Sequence, residues 1–391
     1  MDVTRHTMNS SKQGPLSGLR IVQLASAGPV AKACTVLADL GATVLRIERR
    51  TPIELGVPRP RESDAGLRGS DALALDLKHP DAIELVLDLV ASADVMVEGF
   101  RPGVTERMGL GPQDCTTRNP KLVYARLTGW GQTGPLAQSA GHDINYIAIT
   151  GVLDAIGRQG QPPTPPLALV GDGAGAALYM ALGILAAVME ARQSGLGQVV
   201  DGATVDGTLS LAAGLFGMRA AGIWRPERGT NLLDSGAPFY DVYPCKDDLW
   251  ISIGPLESRF FNELVARLEL DPVTAELRHP SRWPALRTVL AETFRRRTRA
   301  DWIARLEGTD ACFAPVLTLE EAPNHPHLKA RGSFIDVGGV RQPAPAPRFS
   351  RTPPSTPAAP RKAEDTPVRE ALHGWLNDDA LGHWRSRGVF A

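Results

Sequence analysis

The feature that most constrains this chain is a regular alternation of strand-like and helix-like segments that begins at Leu16. "GLRIVQLA" predicts a buried strand, "AKACTVLADLG" a helix that ends at Gly41, and "ATVLRIER" a second strand. The succession continues through "LALDLK", "PDAIELVLDLVASA", "DVMVEGF" and "KLVYARLTGW". Strands separated by helices predict an α/β fold with a parallel, doubly wound sheet, whose ligand-binding loops lie beyond the carboxyl ends of the strands.

A chain of 391 residues is too long for one ordinary hydrophobic core, so its length suggests two domains or one large domain with an insertion. The sequence predicts a polar tail at residues 1–14, a large Rossmann-like domain at 15–195 and a linker at 196–235. A smaller α+β domain is expected at 236–330. Residues 331–391, which contain a Pro- and Arg-rich stretch, are expected to return to the large domain and to pack their helices on it.

Charge and cysteine content exclude several classes of protein. The 42 basic and 43 acidic side chains give a net charge of −1, so no global field would hold nucleic acid or an anionic membrane. Four scattered cysteines without metal-ligand spacing predict reduced thiols in a cytoplasmic protein. The N-terminus lacks the apolar core of a signal peptide. The longest apolar segment, Leu178 to Met189, is shorter than the roughly 18 residues of a membrane span.

Basic residues follow several of the predicted strands. The turn after the first strand, "ASAGPVAKAC", lacks the G-x-G-x-x-G of a dinucleotide site. After the second strand, where such a site carries an acid for the ribose, the sequence has "RIERR". The bases at the strand ends are Arg46, Arg49, Arg50, Lys78, Arg101 and Arg107. Each could be a solvated surface charge, but together at one edge of a sheet they favour a phosphorylated nucleotide as ligand.

Two residues stand out as candidates for proton transfer. Asp172, in "VGDGAG", is placed where a helix N-cap belongs, and a cap alone would stabilise the helix by about 0.5–2 kcal/mol. The same position could also put a carboxylate beside free backbone N–H groups that bind an oxyanion. His142, in "AGHDINYIAITG", is either a structural histidine or a general acid or base.

Long motifs in this chain resemble the racemase branch of the family III CoA-transferase superfamily. The motifs are "VLADLGATVLRIER", "LALDLK", "DVMVEGFRPGVTERMGLGP", "NPKLVYARLTGWGQTGP", "AGHDINYIAITGVL", "GQVVDGATVDG", "GAPFYDVY" and "GTDACFAPVLTLEEA". The resemblance extends from about Leu16 to Ile335. It implies an interlocked homodimer, in which each chain has a Rossmann-like large domain and a smaller α+β domain. It also implies an acyl-CoA thioester substrate and no metal or redox cofactor.

The resemblance further assigns roles to individual residues. Its CoA contacts fall on Arg49, Leu75, Asp76, Leu77, Lys78, Gly99, Phe100, Arg101, Arg107, Gly141, Asp143, Ile144, Asn145 and Tyr146. Its catalytic positions fall on His142 and Asp172. Glu257 matches a glutamate that hydrogen-bonds the histidine from the partner chain's small domain, although it could also be an ordinary exposed helix charge.

The residue before "DINY" separates the two branches of the superfamily. Transferases generally carry another residue there and use the aspartate as a nucleophile, whereas a racemase needs His142 as its second proton carrier. The resemblance therefore implies C2 deprotonation of a 2-methylacyl-CoA thioester through an enolate, whose oxygen we expect the backbone N–H of Asp172 to hold. A CoA-transferase that forms an adduct on Asp172 and a degenerate acyl-CoA-binding protein remain as alternatives.

One departure from the family pattern lies beside this expected site. The family's first loop usually has the sequence Ala-Pro-Gly-Pro, whereas this chain has Gly28-Pro29-Val30-Ala31 followed by Lys32.

Overall fold

The computed structural model describes residues 13–26, 28–51, 57 and 59–390. The chain forms two compact units. The first contains residues 1–150, 167–211 and 332–391, and the second contains residues 151–166 and 212–331. Most of the predicted polar tail, residues 1–14, lies outside the described residues.

A six-stranded sheet forms the centre of the first unit. Its strands are β1 Arg20–Leu24, β2 Thr43–Arg49, β3 Ser70–Leu75, β4 Val95–Glu98, β5 Val123–Thr128 and β6 Val199–Ala203. Their order is β3-β2-β1-β4-β5-β6 and every neighbouring pair is parallel. The prediction of a parallel, doubly wound sheet is confirmed. The order reverses between β1 and β4, so a crevice is expected beyond the carboxyl ends of these two strands.

Helices cover both faces of this sheet. Numbered along the whole chain, those of the first unit are α1 Pro29–Asp39, α2 Pro80–Ala91, α3 Val104–Met108, α4 Pro112–Arg118, α5 Asp143–Ile149, α7 Tyr179–Ser194, α8 Thr204–Leu211, α14 Val368–Ala371 and α15 Asp378–Ser386. A π-helical segment, Leu169–Leu178, runs directly into α7. The hairpin β10 Phe334–Val337 and β11 Val340–Pro343 also belongs to this unit.

The strands of the sheet are apolar on both sides because each face packs against helices. Ile21 and Val44 join α1 and α7 in one core, whereas Val22 and Leu45 join α2 in the other. The second core also contains Trp375, from the carboxyl-terminal part of the chain.

The segment at 196–235, predicted as a linker, contains more regular structure than its sequence suggested. β6 lies within it and pairs with β5 from Tyr124↔Val199 to Thr128↔Ala203, and α8 follows directly. In "VVDGA" two β-branched residues are followed by an aspartate and a glycine, both of which are depleted in strands, so the sequence does not predict a strand. Pairing with the edge of β5 determines its conformation.

The second unit is a smaller α+β structure. Its antiparallel sheet has the order β7-β8-β9, formed by β7 Asp241–Pro244, β8 Trp250–Ile253 and β9 Phe313–Pro315. Its helices are α6 Val152–Ala155, α9 Ala213–Ala220, α10 Ser258–Arg267, α11 Trp283–Phe294, α12 Arg299–Leu306 and α13 Pro326–Ala330. Phe261, Leu290 and Trp302 lie in its core.

One long helix is apolar over most of its length, as the sequence predicted, and begins a few residues earlier than expected. The π-helical segment and α7 form a continuous helix, Leu169–Ser194, of 26 residues with a mean hydropathy of 1.7 in its most apolar window. Length and composition alone would allow it to cross a membrane. Half of that window is buried inside the protein, as in the core helix of a globular domain.

Candidate active site

The predicted strand-end bases lie where the strands of the first unit end. Arg49 is the last residue of β2 and pairs in register with Leu75, the last residue of β3. Lys78 follows β3, and Arg101 and Arg107 follow β4. Among the described residues, none of these four exposed cations has a carboxylate oxygen within 4.0 Å. They are therefore available for an anion.

Two other arginines of the same motif are engaged within the protein. Arg46 is buried and pairs with Glu48, which also accepts two hydrogen bonds from Arg61, at 2.9 and 3.0 Å. Arg50 donates a hydrogen bond to the carbonyl oxygen of Val389 at 2.7 Å. Of the three bases in "RIERR", only Arg49 makes no such bond within the described part of the chain.

His142 occupies the N-cap of α5. Its backbone N–H donates to Asn145 Oδ1 at 3.0 Å, and its carbonyl oxygen accepts from the N–H of Asn145 at 2.8 Å. These two bonds fix the backbone of the cap and leave the imidazole exposed. The histidine is therefore accessible to a ligand and held on a defined backbone.

Tyr146, one turn along α5, supports this loop from inside. Its ring packs edge-on against Trp130 with centroids 4.7 Å apart, and its hydroxyl donates to the carbonyl oxygen of Gly141. The pKa of Tyr146 is raised by burial and then by the charge of Asp172, with Arg101 opposing. The predicted loop residues, the predicted catalytic aspartate and one predicted CoA-binding arginine are therefore close in space.

Asp172 is not an N-cap, contrary to the expectation from sequence. The helix starts earlier, with Ala168 as its N-cap in the left-handed region (φ 55°), and Asp172 is the fourth residue of the π-helical segment. A cap was predicted because glycines flank Asp172, a pattern typical of turns. In the structure those glycines lie inside a wide helical turn, a conformation common at functional sites.

The backbone N–H of Asp172 was expected to hold the enolate oxygen, and it already has a partner. It donates to Asp143 Oδ1 at 2.7 Å. Asp143 is only 8% exposed, so this bond ties the start of α5 to the start of the π-helical segment. Gly171 permits the contact, because a Cβ there would lie 2.3 Å from Asp143 Oδ1.

The side chain of Asp172 lies in a setting that disfavours its charge. Its Oδ1 is buried and has no hydrogen-bond partner among the residues that the structure describes. Burial raises the pKa of Asp172 and the nearby Asp143 carboxylate raises it further, while Lys32 and His142 lower it. The site therefore contains a carboxyl group biased toward its protonated form beside an accessible imidazole.

The remaining predicted residues differ in what they expose. Leu75 is buried, so only its backbone is available to a ligand, and Lys78 N–H donates to Asp76 Oδ1 at 3.1 Å in an exposed turn. Glu257 belongs to the second unit, where it is the exposed N-cap of α10. Its predicted contact with a partner chain's histidine stays a prediction.

Three residues near this site were not identified as functional from the sequence. Lys32 on α1 acts on Asp172 through its charge. Glu98 and Arg126 form a buried ion pair at 2.8 Å beside the loop that carries Arg101. A charged residue inside an otherwise apolar strand, as in "DVMVE" and "LVYARL", is the signal that could have identified the pair.

Comparison with known proteins identifies the family of this chain. Residues 16–366 match the model of CoA-transferase family III. The chain is 42% identical to α-methylacyl-CoA racemase of Mus musculus over 94% of its length and 95% of the relative's. It is 40% identical to the Homo sapiens racemase, over 86% of this chain and 87% of that one.

A solved structure shares the fold. The CAIB/BAIF family protein from Brucella suis superposes with a TM-score of 0.76 at 26% identity, covering 90% of this chain and 96% of the other. Together with the sequence matches, this shows that the chain belongs to CoA-transferase family III.

Proposed function

We propose that this protein is a racemase that interconverts the (R) and (S) enantiomers of 2-methylacyl-CoA thioesters. The observation that carries the proposal is the junction of two helix starts, which brings His142 and Asp172 together through Asp143. Inversion at C2 requires a proton carrier on each face of the carbon. The similarity to the mouse and human racemases supports the assignment.

The two carriers exchange roles with the direction of reaction. In one direction the exposed imidazole of His142 removes the C2 proton, and Asp172, whose raised pKa favours the protonated form, delivers a proton to the opposite face. In the other direction Asp172 is the base and His142 the acid. Because only protons are exchanged, the proposal requires no metal or redox cofactor.

The enolate oxygen requires a donor as negative charge develops on it. The N–H of Asp172 is well placed but is bonded to Asp143 in this structure. We infer that the thioester oxygen takes this N–H when substrate binds and that the Asp143 carboxylate moves off it. Because Asp143 raises the pKa of Asp172, this movement would also change the acidity of the catalytic acid.

The CoA moiety is assigned to the loops beyond the strand ends. Arg49, Lys78, Arg101 and Arg107 are exposed and carry the positive charge that phosphates require. Gly99 and Phe100 supply the backbone of the loop after β4, and Ile144 and Asn145 the exposed start of α5. The predicted contact set spans the ends of β2, β3 and β4 and the first turn of α5.

Deuterium exchange at C2 tests the proposal. Each enantiomer of a 2-methylacyl-CoA is incubated in deuterium oxide with wild type, His142→Ala and Asp172→Ala, and configuration and label are followed by chiral chromatography and mass spectrometry. Wild type should give both enantiomers labelled at C2. Each variant should lose racemisation by about 10³-fold, while the remaining carrier can still exchange the proton on its own face.

His325→Ala is the matched control, because His325 is also a histidine at a helix N-cap, although only partly exposed, and lies in the second unit. It should leave the rate unchanged. Unlabelled substrate of unchanged configuration would contradict the proposal. A mass adduct on Asp172 together with CoA transfer to a free acid would instead identify a CoA-transferase, and CoA binding without exchange would identify a binding protein.

We further propose that the protein acts as an interlocked homodimer. Leu178, Leu182 and Met189 lie on one side of α7 and its junction with the π-helical segment, and they are 53%, 63% and 65% exposed. Such a stripe is costly in water and favours burial against a second copy. Two interlocked copies would also allow Glu257 of one chain to approach His142 of the other.

Sedimentation equilibrium tests the dimer. Wild type should have twice the mass of one chain, and Leu182→Glu should be monomeric because it places a charge within the stripe. Leu319→Glu, which changes an 88% exposed leucine of the second unit, is the control and should stay dimeric. A monomeric wild type would contradict the proposal.

A cytoplasmic location is part of the same proposal. All four cysteines are free and three of them are buried, as in a protein whose thiols stay reduced. Fractionation of cells that express the full chain should recover it with cytoplasmic markers.

A further inference from the structure

We propose that Arg126 is a positioning residue for CoA binding, because its guanidinium fixes the spacing between the loop that carries Arg101 and the helix that carries Arg107. The proposal rests on the assignment of Arg101 and Arg107 to the CoA phosphates. Arg126 itself lies in β5 and is 7% exposed, so it acts through other residues.

The first connection runs from Arg126 to the loop after β4. Glu98 and Arg126 are direct register partners on the parallel strands β4 and β5. Arg126 Nε donates to Glu98 Oε1 at 2.8 Å, and Glu98 Oε2 accepts from the backbone N–H of Phe100 at 2.7 Å. Both oxygens of the fully buried carboxylate are used, so the backbone immediately before Arg101 is fixed.

The second connection runs to α3. Arg126 Nη1 and Nη2 donate to Glu106 Oε1 and Oε2 at 2.7 and 3.2 Å. Arg107 is the next residue, and its Nη1 lies 3.1 Å from the position of a Cβ on Gly103, so its side chain folds back over the loop. One guanidinium therefore holds both segments that carry the predicted phosphate ligands.

Stability alone does not explain this arrangement. The neighbouring positions Val97, Ala125 and Leu127 are buried and apolar, as expected in a covered parallel sheet. Burial raises the pKa of Glu98, with the Phe100 N–H and Arg126 opposing, so the ionised carboxylate is costly in this place. Replacing a buried ion pair by apolar residues is often neutral or stabilising. The planar guanidinium of arginine, by contrast, holds its hydrogen-bond partners in a fixed geometry, which is what a positioning residue requires.

Direct binding of CoA, measured by titration calorimetry on the full chain, tests the proposal. Arg126→Lys keeps the charge but replaces three fixed donor positions by one ammonium nitrogen, so it cannot reproduce the geometry of both connections. It should raise the Kd for CoA about tenfold, the effect of misplacing charge-assisted phosphate contacts. Glu106→Gln, at an exposed residue, removes the charge and one of the two acceptor oxygens that bond Arg126, and should raise the Kd in the same direction by a smaller factor.

Arg118→Lys is the matched control. Arg118 likewise bonds two carboxylates, Glu84 and Asp88, but it joins α4 to α2 away from the loop. It should leave the Kd unchanged. An unchanged Kd in Arg126→Lys, or an equal rise in Arg118→Lys, would overturn the proposal.

Kinetics provide a readout that general damage to the fold would not mimic. The kcat/KM for a 2-methylacyl-CoA should fall in Arg126→Lys, whereas that for the matching pantetheine thioester, which lacks the nucleotide phosphates, should stay within about twofold. An equal fall for both substrates would overturn the positioning role. Wild type that binds CoA but racemises no thioester would refute the racemase proposal, and the calorimetry would still decide the role of Arg126.

Discussion

The two helix starts that form the candidate site are built in opposite ways. At α5 a regular N-cap holds the backbone of His142 and leaves the imidazole exposed. At Leu169–Leu178 a π-helical turn places Asp172 inside the helix, with one carboxylate oxygen buried and unpaired with respect to the described residues. A hydrogen bond from the N–H of Asp172 to Asp143 joins the two helix starts.

The difference indicates how one site can provide two unlike proton carriers. An exposed cap gives a group that water and substrate can reach. A wide, half-buried turn gives a carboxyl group whose pKa is raised by burial and by Asp143. Environment, more than residue type, sets the two roles.

Among variants that keep both proton carriers, the largest effect is expected from separating the two helix starts. Gly171→Ala would place a Cβ 2.3 Å from Asp143 Oδ1 and 2.8 Å from Ile147 Cγ2, so the starts must move apart. We expect racemisation to fall about 100-fold, as for displacements near 1 Å in an active site. Gly173→Ala is the control, since its Cβ would meet nothing nearer than Ala168 O at 3.4 Å. Equal rates for the two variants would show that the junction is not required.

A smaller effect is expected from neutralising Asp143. Asp143→Asn keeps the size and one acceptor oxygen but removes the charge that raises the pKa of Asp172. Asp172 should then lose its proton at lower pH. In the reaction direction in which Asp172 is the acid, the rate falls once Asp172 is deprotonated. The pH at which this rate reaches half its maximum should therefore be lower in the variant, and the rate at pH 8 should be about tenfold below that of wild type. A pH–rate profile that does not move would contradict this account.

Lys32→Met should shift the same profile the other way, by less. Gly28 and Lys32 are four residues apart at the start of α1, and a Cβ on Gly28 would lie 3.7 Å from Asp172 Oδ2. Helix side chains point toward the N-terminus, so Lys32 extends toward this carboxylate. Without its charge the pKa of Asp172 should rise, giving a change of about twofold to threefold at an exposed site. Lys32→Arg keeps the charge and should leave the profile in place.

The smallest effect concerns stability. The pKa of Asp172 is raised in the folded state, so this group favours folding below its unfolded pKa, and that contribution is lost as pH rises through the folded pKa. Asp172→Asn should therefore melt about 1–2 °C above wild type at pH 8. At pH 3.5, where the aspartate of wild type is largely protonated and therefore neutral like the asparagine of the variant, the difference in melting temperature should disappear in calorimetric scans. If Asp172→Asn melted below wild type at pH 8, the ionised Asp172 carboxylate would not destabilise the folded state.

Much of the first unit could be predicted because its signals are local. Apolar runs predict β1 and β2, and a Pro at the start of α1 and a Gly just after its end mark the helix. Each of these signals acts within a few residues. β6 could not be predicted, because the conformation of "VVDGA" depends on pairing with β5. The helix start before Asp172 was also placed wrongly, since a glycine-rich run fits a turn and a π-helical turn equally well.

The sequence by itself determined the alternating α/β framework, the strand-end bases and the presence of His142 and Asp172, because each depends on residue type and short spacing. Only the tertiary structure decided that Asp143 occupies the amide of Asp172, that Lys32 approaches its carboxylate and that Arg126 connects two loops. These contacts join segments that are far apart in the chain. Their geometry follows from how the helices pack on the sheet, which no local pattern encodes.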